Sequence, residues 1–132
     1  MTLVLPDTSV WQRRTQQEVA GAIESALEQD AVAIVDPIEI ELLRAAFGER
    51  DHGALRSEYD GLHRIALSDA VGMRALDVQG ALARRGYHRG PSVTDLLAAA
   101  AAESVGAEVW HCDRHFELIA EVTGQPMRRL GR

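Results

Sequence analysis

The sequence predicts an α/β domain built on a mostly parallel sheet of four to five strands. Short apolar or β-branched runs alternate with longer segments whose apolar residues recur at helical spacing. Strands that alternate with helices favour a parallel sheet with right-handed crossovers. With 132 residues, 46% of them hydrophobic, the chain fits one compact domain over residues 1–132.

The chain begins with two predicted strands separated by a helix. Leu3–Leu5 is an apolar run that stops at Pro6 and Asp7, which indicates a buried strand followed by a helix. Over Thr15–Leu27, apolar residues recur at helical spacing with charges between them. Ala31–Val35 is largely β-branched and unbroken, as is typical of a strand inside a parallel sheet.

A helix is predicted to follow the second strand. Asp36 is its expected N-cap, Pro37 suits the first helical position, and Glu39 falls where the acid of a capping box would reach back. This helix should extend to about Phe47. The polar stretch Arg50–His63 indicates a further helix with a loop.

The second half of the chain continues the alternation of strands and helices. The predicted elements are a strand at Ile65–Leu67, a helix capped by Ser68 and running toward Gly86, a loop over Gly86–Pro91, an alanine-rich helix opened by the capping-box pattern Ser92–Asp95 and ending near Val105, a strand at Glu108–Cys112, a helix from Asp113 to about Val122 and an edge strand at Met127–Leu130.

Composition and charge exclude several classes of function. The net charge is −6, which argues against an ordinary DNA-binding module, and all 14 basic residues are arginine, which excludes chemistry that requires lysine. Cys112 is the single cysteine and fits a reducing compartment. Leu3–Leu5 is too short for a signal peptide or a membrane span, so we expect a cytoplasmic protein without membrane association.

Acidic residues occupy the positions where α/β domains collect functional groups. Asp7 and Asp113 follow predicted strands, where ligands bind in parallel sheets, although each residue also suits a simple helix cap. Glu41 lies on an apolar face of its helix, where it needs a partner such as Arg44 or an escape to solvent. Asp95 has a capping-box role that is compatible with a second role at a site.

Four short motifs, in order, resemble a known family over essentially the whole chain: Asp7-Thr8-Ser9-Val10-Trp11, Glu41-Leu42-Leu43-Arg44, Asp95-Leu96-Leu97-Ala98-Ala99 and His111-Cys112-Asp113-Arg114-His115-Phe116 with Ile119-Ala120. This order and spacing resemble a PIN domain of the VapC toxin type. The resemblance implies a three-layer α/β/α fold and a metal-dependent endoribonuclease that is toxic when free. It also implies silencing by a cognate VapB-type antitoxin and, usually, a homodimer.

By that resemblance, Asp7, Glu41, Asp95 and Asp113 form the acidic site that holds Mg²⁺ or Mn²⁺, and Ser9 supplies a supporting hydroxyl. Clustered carboxylates resist ionising together unless cations neutralise them, and hard oxygen donors select these ions. The chain departs from the family pattern at two positions. Pro6 directly precedes the first acid, and His111 stands where such domains often have Thr or Ser, which leaves the hydrogen bonding around the last acid open.

Cations and arginines together would reconcile an acidic protein with an RNA substrate. The arginine candidates for backbone contact are Arg13, Arg14, Arg44, Arg84, Arg85, Arg89 and Arg114, each of which is otherwise a solvated surface charge. Trp11 suits either base stacking or the core and antitoxin groove.

Other functions fit the sequence less well. A zinc site at His111, Cys112 and His115 is disfavoured because neighbouring strand residues point to opposite faces and no second cysteine exists. A receiver domain relies on a lysine, and a haloacid-dehalogenase-type phosphatase needs an Asp where Ser9 stands. A catalytically inert PIN-fold module that only binds partner proteins remains the alternative.

Overall fold

The computed structural model describes residues 2–131. Its strands are β1 (Val4–Pro6), β2 (Ala33–Ile34), β3 (His63–Arg64), β4 (Glu108–His111) and β5 (Met127–Arg129). Its helices are α1 (Thr8–Gln12), α2 (Gln17–Glu28), α3 (Asp36–Leu43), α4 (Glu49–Tyr59), α5 (Asp69–Ala83), α6 (Val93–Val105) and α7 (Arg114–Thr123). The alternation of strands and helices predicted from the sequence is confirmed.

Every strand pairing is parallel. Strands β1, β4 and β5 form a three-stranded sheet in the order β1-β4-β5, and β2 pairs with β3 in a second, two-stranded sheet. Within residues 2–131, one parallel bridge between Val4 and Val32 joins the two sheets, with the Val4 N–H donating to Ala31 O at 2.8 Å. The regular sheet is therefore slightly smaller than the four to five strands predicted.

Helices cover both faces of this sheet. Successive side chains of β4 point to opposite faces, so Trp110 and His111 mark the two sides. The His111 ring packs against Phe116 of α7 at a centroid distance of 5.4 Å, whereas Trp110 lines a groove with residues of α2. Gln125 ties α6 to the same side as α7, because its Nε2 donates to Ala99 O at 2.8 Å. The result is the predicted three-layer α/β/α arrangement.

The third strand and the end of α3 differ from the prediction. The strand lies at His63–Arg64 rather than Ile65–Leu67: the Ile65 N–H still donates to Ile34 O at 2.9 Å, and the chain then leaves the sheet, with Leu67 40% exposed. Helix α3 ends at Leu43 instead of near Phe47, which is 99% exposed. The Phe47 N–H turns to Asp51 of the next helix, 2.8 Å from its Oδ2.

The predicted capping of α3 is wrong, whereas that of α5 and α6 is confirmed. Val35 is the N-cap of α3 and makes no side-chain cap, so Asp36 already lies inside the helix. Glu39 does not reach back but is buried, at 4% exposure, and pairs with Arg64 of β3. The caps of α5 and α6 are Ser68 and the Ser92–Asp95 box, as predicted.

The parallel topology brings the ends of β1 and β4 to one edge of the sheet. Asp7 follows β1 directly, and its N–H donates to Trp110 O of β4 at 2.8 Å. Asp113 follows β4 and caps α7. Among residues 2–131, no helix has the length and apolar character needed to cross a bilayer.

Candidate functional site

Asp7 is a buried carboxylate at the start of α1. It is the N-cap of this helix, and its Oδ2 accepts hydrogen bonds from Ser9 N at 3.3 Å and Ser9 Oγ at 2.8 Å. Burial raises the pKa of Asp7, the Ser9 hydrogen bonds oppose this rise, and the charge of Glu41 adds to it. The fold thus keeps an acid in a place that disfavours its charged form.

Glu41 reaches the same region from α3. Its carboxylate is half-buried, and its Oε1 accepts a hydrogen bond of 2.7 Å from Thr8 Oγ1. Neither alternative for this acid, pairing with Arg44 or escape to solvent, describes that contact. Thr8 was not predicted as a site residue from the sequence. Its position directly after Asp7 could have indicated a hydroxyl close to the first acid.

Asp95 combines a cap with a position among other acids. Its Oδ2 accepts from Ser92 N at 2.9 Å while its own N–H donates to Ser92 Oγ at 3.1 Å, which is a complete capping box. Burial raises the pKa of Asp95, and the charges of Asp7 and Asp113 raise it further. The capping box and a role beside other carboxylates are therefore compatible here.

Asp113 caps α7 beside two histidines. Its Oδ1 accepts from His115 N at 2.9 Å, and its Oδ2 lies 3.5 Å from His115 Nδ1. His111 is 2% exposed, and its Nδ1 accepts from Asp113 N at 3.3 Å. Burial lowers the pKa of His111, so the neutral ring with Nδ1 unprotonated is the form that can accept this hydrogen bond. His111 thus supplies the contact to Asp113 that the sequence left open.

The acids predicted from the sequence act on one another electrostatically. The charge of Glu41 contributes to the raised pKa of Asp7, and the charges of Asp7 and Asp113 contribute to the raised pKa of Asp95. As their side chains are placed, no three His, Cys, Asp or Glu residues within 2–131 are close enough to hold one ion. One oxygen of each acid accepts a hydrogen bond: from neighbouring residues for Asp7, Asp95 and Asp113, and from Thr8, 33 positions away, for Glu41. The donor set itself suits a hard divalent cation, because carboxylate oxygens predominate and repel one another.

The candidate arginines lie in three settings. Arg13 Nη1 donates to Ser9 O at 3.2 Å, and the Arg14 guanidinium lies 5.5 Å from the centre of the Trp11 ring. Arg89 and Arg114 line a depression of about 390 Å³ together with His115, the histidine that contacts Asp113. Of the remaining candidates, Arg85 pairs with Glu121, Arg84 is the C-cap of α5, and Arg44 is exposed at the end of α3.

Two other features singled out in the sequence lie in the core. Trp11 is 8% exposed and makes an edge-to-face contact with Tyr59, so burial removes its ring from base stacking. Cys112 is buried and its Sγ donates to Leu130 O at 2.8 Å, while the neighbouring His111 ring contacts Phe116. These partners give Cys112 and His111 separate structural roles.

Comparison with known proteins assigns the family. Ribonuclease VapC18 of Mycobacterium tuberculosis is 40% identical over 122 residues, covering 91% of this chain and 89% of that protein. Ribonuclease VapC2 of the same species is 38% identical over 128 residues, covering 95% of this chain and 82% of its own length. No protein-family model matches the chain.

Solved structures agree on the fold. The DNA-bound VapBC of Salmonella typhimurium superimposes with a TM-score of 0.78 at 18% identity and covers 98% of both chains. VapBC2 of Rickettsia felis, bound to a promoter DNA fragment, gives a TM-score of 0.77 at 13% identity over 98% of this chain and 100% of that chain. Sequence relatives and fold agree: this chain belongs to the VapC family of PIN-domain ribonucleases.

Proposed function

We propose that this chain is a metal-dependent endoribonuclease, the toxin of a type II toxin–antitoxin pair. It hydrolyses RNA phosphodiester bonds at a site formed by Asp7, Glu41, Asp95 and Asp113 with Mg²⁺ or Mn²⁺. The observation that carries the proposal is that these acids come from distant parts of the chain yet lie close enough for the charge of Glu41 to raise the pKa of Asp7, and for the charges of Asp7 and Asp113 to raise that of Asp95. The names of the relatives, which are ribonucleases, support the choice of RNA as substrate.

The raised pKa values of Asp7 and Asp95 support a cation site. A fold that buries acids near one another gains stability when a divalent ion offsets their charges. The bound ion would lower the pKa of the attacking water, neutralise the scissile phosphate and stabilise the leaving oxygen. Ser9 orients Asp7 through its 2.8 Å hydrogen bond, which fixes one oxygen of that carboxylate.

The protein's own cations would position the RNA backbone. Arg89 and Arg114 line one depression together with His115, which contacts Asp113, and within residues 2–131 neither arginine forms an ion pair. Free guanidinium groups beside an acidic site bind phosphates without reading the bases. Arg13, Arg14 and Arg44 are the further candidates at the ends of α1 and α3.

A VapB-type antitoxin is the proposed protein partner. The neighbouring solved structures are described as VapBC, that is, toxin and antitoxin together. A homodimer is proposed as well, with the exposed apolar side chains of α5 and α6 as its contact surface. Met73, Leu76 and Val93 are 59%, 61% and 75% exposed, and such a group of apolar residues favours an interface.

The decisive experiment is RNA cleavage with matched aspartate variants. After brief induction in cells, sequencing the cut ends of cellular RNA should show cleavage at defined positions, and purified protein with Mn²⁺ should cut RNA in vitro. Asp7→Asn and Asp95→Asn should lower cleavage at least about 100-fold, since each removes a charge needed to hold the cation. Asp77→Asn, an exposed position on α5, is the matched control and should cleave normally. Undiminished cleavage by Asp7→Asn would exclude Asp7 from the catalytic set.

A further inference from the structure

Adjacent hydroxyls in α1 serve two different acids of the proposed site. Ser9 Oγ donates to Asp7 Oδ2 at 2.8 Å, and Thr8 Oγ1 donates to Glu41 Oε1 at 2.7 Å. Successive side chains on a helix project about 100° apart, so neighbouring hydroxyls can reach separate partners. We propose that Thr8 is a positioning residue whose hydroxyl fixes the Glu41 carboxylate near Asp7. This inference rests on the proposed function.

The Glu41 carboxylate needs such a restraint. A glutamate side chain has three rotatable bonds, and this one is only half-buried. The charge of Glu41 also contributes to raising the pKa of Asp7, so the two acids repel each other when both are ionised. A hydrogen bond to a charged acceptor is stronger than a neutral one and opposes that repulsion. Since Thr8 directly follows Asp7, the bond ties Glu41 to the backbone that carries the first acid.

Helix α3 is held independently on its other side. Glu39 precedes Glu41 by two positions, which places it about 200° around the helix. It is buried and pairs with Arg64, which also contacts Asp36 at 2.6 Å. This pair fixes the rotation of α3 about its axis. With the helix held, only the side-chain torsions of Glu41 can still change. The hydrogen bond from the Thr8 hydroxyl restricts these torsions.

The first test measures cation binding. Thr8→Val removes the donor with little change of shape and should raise the Kd for Mn²⁺, measured by calorimetry, about tenfold, the lower end of the effect of losing an outer hydrogen bond to a metal ligand. Thr8→Ser keeps the hydroxyl and should restore most of the affinity. Thr123→Val, which loses a 3.0 Å hydrogen bond to Ile119 O and a 3.2 Å hydrogen bond from Gln125 N, should leave the Kd unchanged. A Thr8→Val Kd within twofold of wild type would overturn the proposal.

The second test needs no metal. In a double-mutant cycle, Thr8→Val should lower the Tm by about 3 °C in the wild-type background and by less than about 1 °C in Glu41→Ala, because the partner is already gone. Equal losses in both backgrounds would show that the hydroxyl does not act through Glu41. If the wild type binds no Mn²⁺, the proposed function fails, and the cycle by itself decides whether Thr8 positions Glu41.

Discussion

Ser9 holds Asp7 through both its hydroxyl and its backbone N–H, with Asp7 Oδ2 accepting at 2.8 Å and 3.3 Å. These bonds stabilise the charged carboxylate in a place where burial disfavours it. The Asp-Thr-Ser segment therefore contains both an acid and the donor that moderates its pKa.

Removing the Ser9 hydroxyl should raise the pKa of Asp7 further. Ser9→Ala deletes a hydrogen bond that stabilises the charged carboxylate and lowers its pKa. Burial and the charge of Glu41, which both raise the pKa, remain. A carbon-detected NMR titration of the Asp7 carboxyl measures the change. Ser104→Ala, which removes a 2.6 Å hydrogen bond to Ala101 O within α6, is the control and should not alter the titration. An unchanged Asp7 titration in Ser9→Ala would contradict this account.

Replacing Asp7 by Asn should stabilise the metal-free protein at neutral pH. The pKa of Asp7 is higher in the folded protein than in the unfolded chain, where it is near 3.8. Protonated Asp7 therefore stabilises the fold, and this stabilisation is complete below about pH 3.8. It is lost as the pH rises through the folded pKa. Asn remains a good N-cap and carries no charge to bury.

Thermal unfolding from pH 3 to pH 8 tests this expectation. The Tm of Asp7→Asn should exceed that of wild type at pH 7. The difference should disappear as the pH falls below the folded pKa of Asp7 and then below 3.8, where Asp7 is protonated in both states. Asp77→Asn, at an exposed position, should follow wild type throughout. A variant less stable than wild type at pH 7 would show that the carboxylate has a favourable partner.

Mn²⁺ should stabilise the protein and displace protons. Because burial raises the pKa of Asp7 and Asp95, binding a cation to their ionised forms releases protons, and the affinity should rise with pH. Free Mn²⁺ at about 100 times its Kd should add roughly 2.7 kcal/mol to the free energy of unfolding. Calorimetry in buffers of different ionisation enthalpy counts the protons. No heat and no thermal stabilisation would favour the catalytically inert module.

Loss of Arg64 should destabilise the fold substantially. Arg64→Ala leaves the buried Glu39 without its partner, and we expect a cost of about 2 kcal/mol, less than the roughly 3–5 kcal/mol of a fully buried pair because Arg64 is 40% exposed. Urea denaturation measures it. Arg85→Ala breaks an exposed pair with Glu121 and should cost less than about 1 kcal/mol. Equal effects of the two variants would argue against a special role of Arg64.

The proposed homodimer has a specific weak point at Leu76. Leu76 and Val93 line one depression between α5 and α6 and are mostly exposed in the single chain. Leu76→Glu would place a charge in this surface and should convert a dimer into a monomer in light scattering. Leu27→Glu on α2, at 40% exposure, is the control. A wild type that is monomeric at high concentration would remove the homodimer from the proposal.

Local chemistry explains why much of the fold could be predicted. The β-branched run before Asp36, the Ser92–Asp95 capping box and the alanine-rich helix behind it each depend on neighbours within a few positions, and the structure confirms them. The prediction erred where distant residues compete with local preference. The position of Glu39 suited a capping box, but its carboxylate forms an ion pair with Arg64 of β3 instead.

The sequence by itself determined the order of strands and helices and the placement of Asp7 and Asp113 at strand ends, because both follow from periodicity and capping along the chain. Only the tertiary structure decided that Arg64 pairs with Glu39, that Thr8 donates to Glu41, and that Trp11 lies in the core. Thr8 and Glu41 are 33 positions apart. Which side chains meet at such separations depends on how the helices pack against the sheet, and no local pattern encodes that packing.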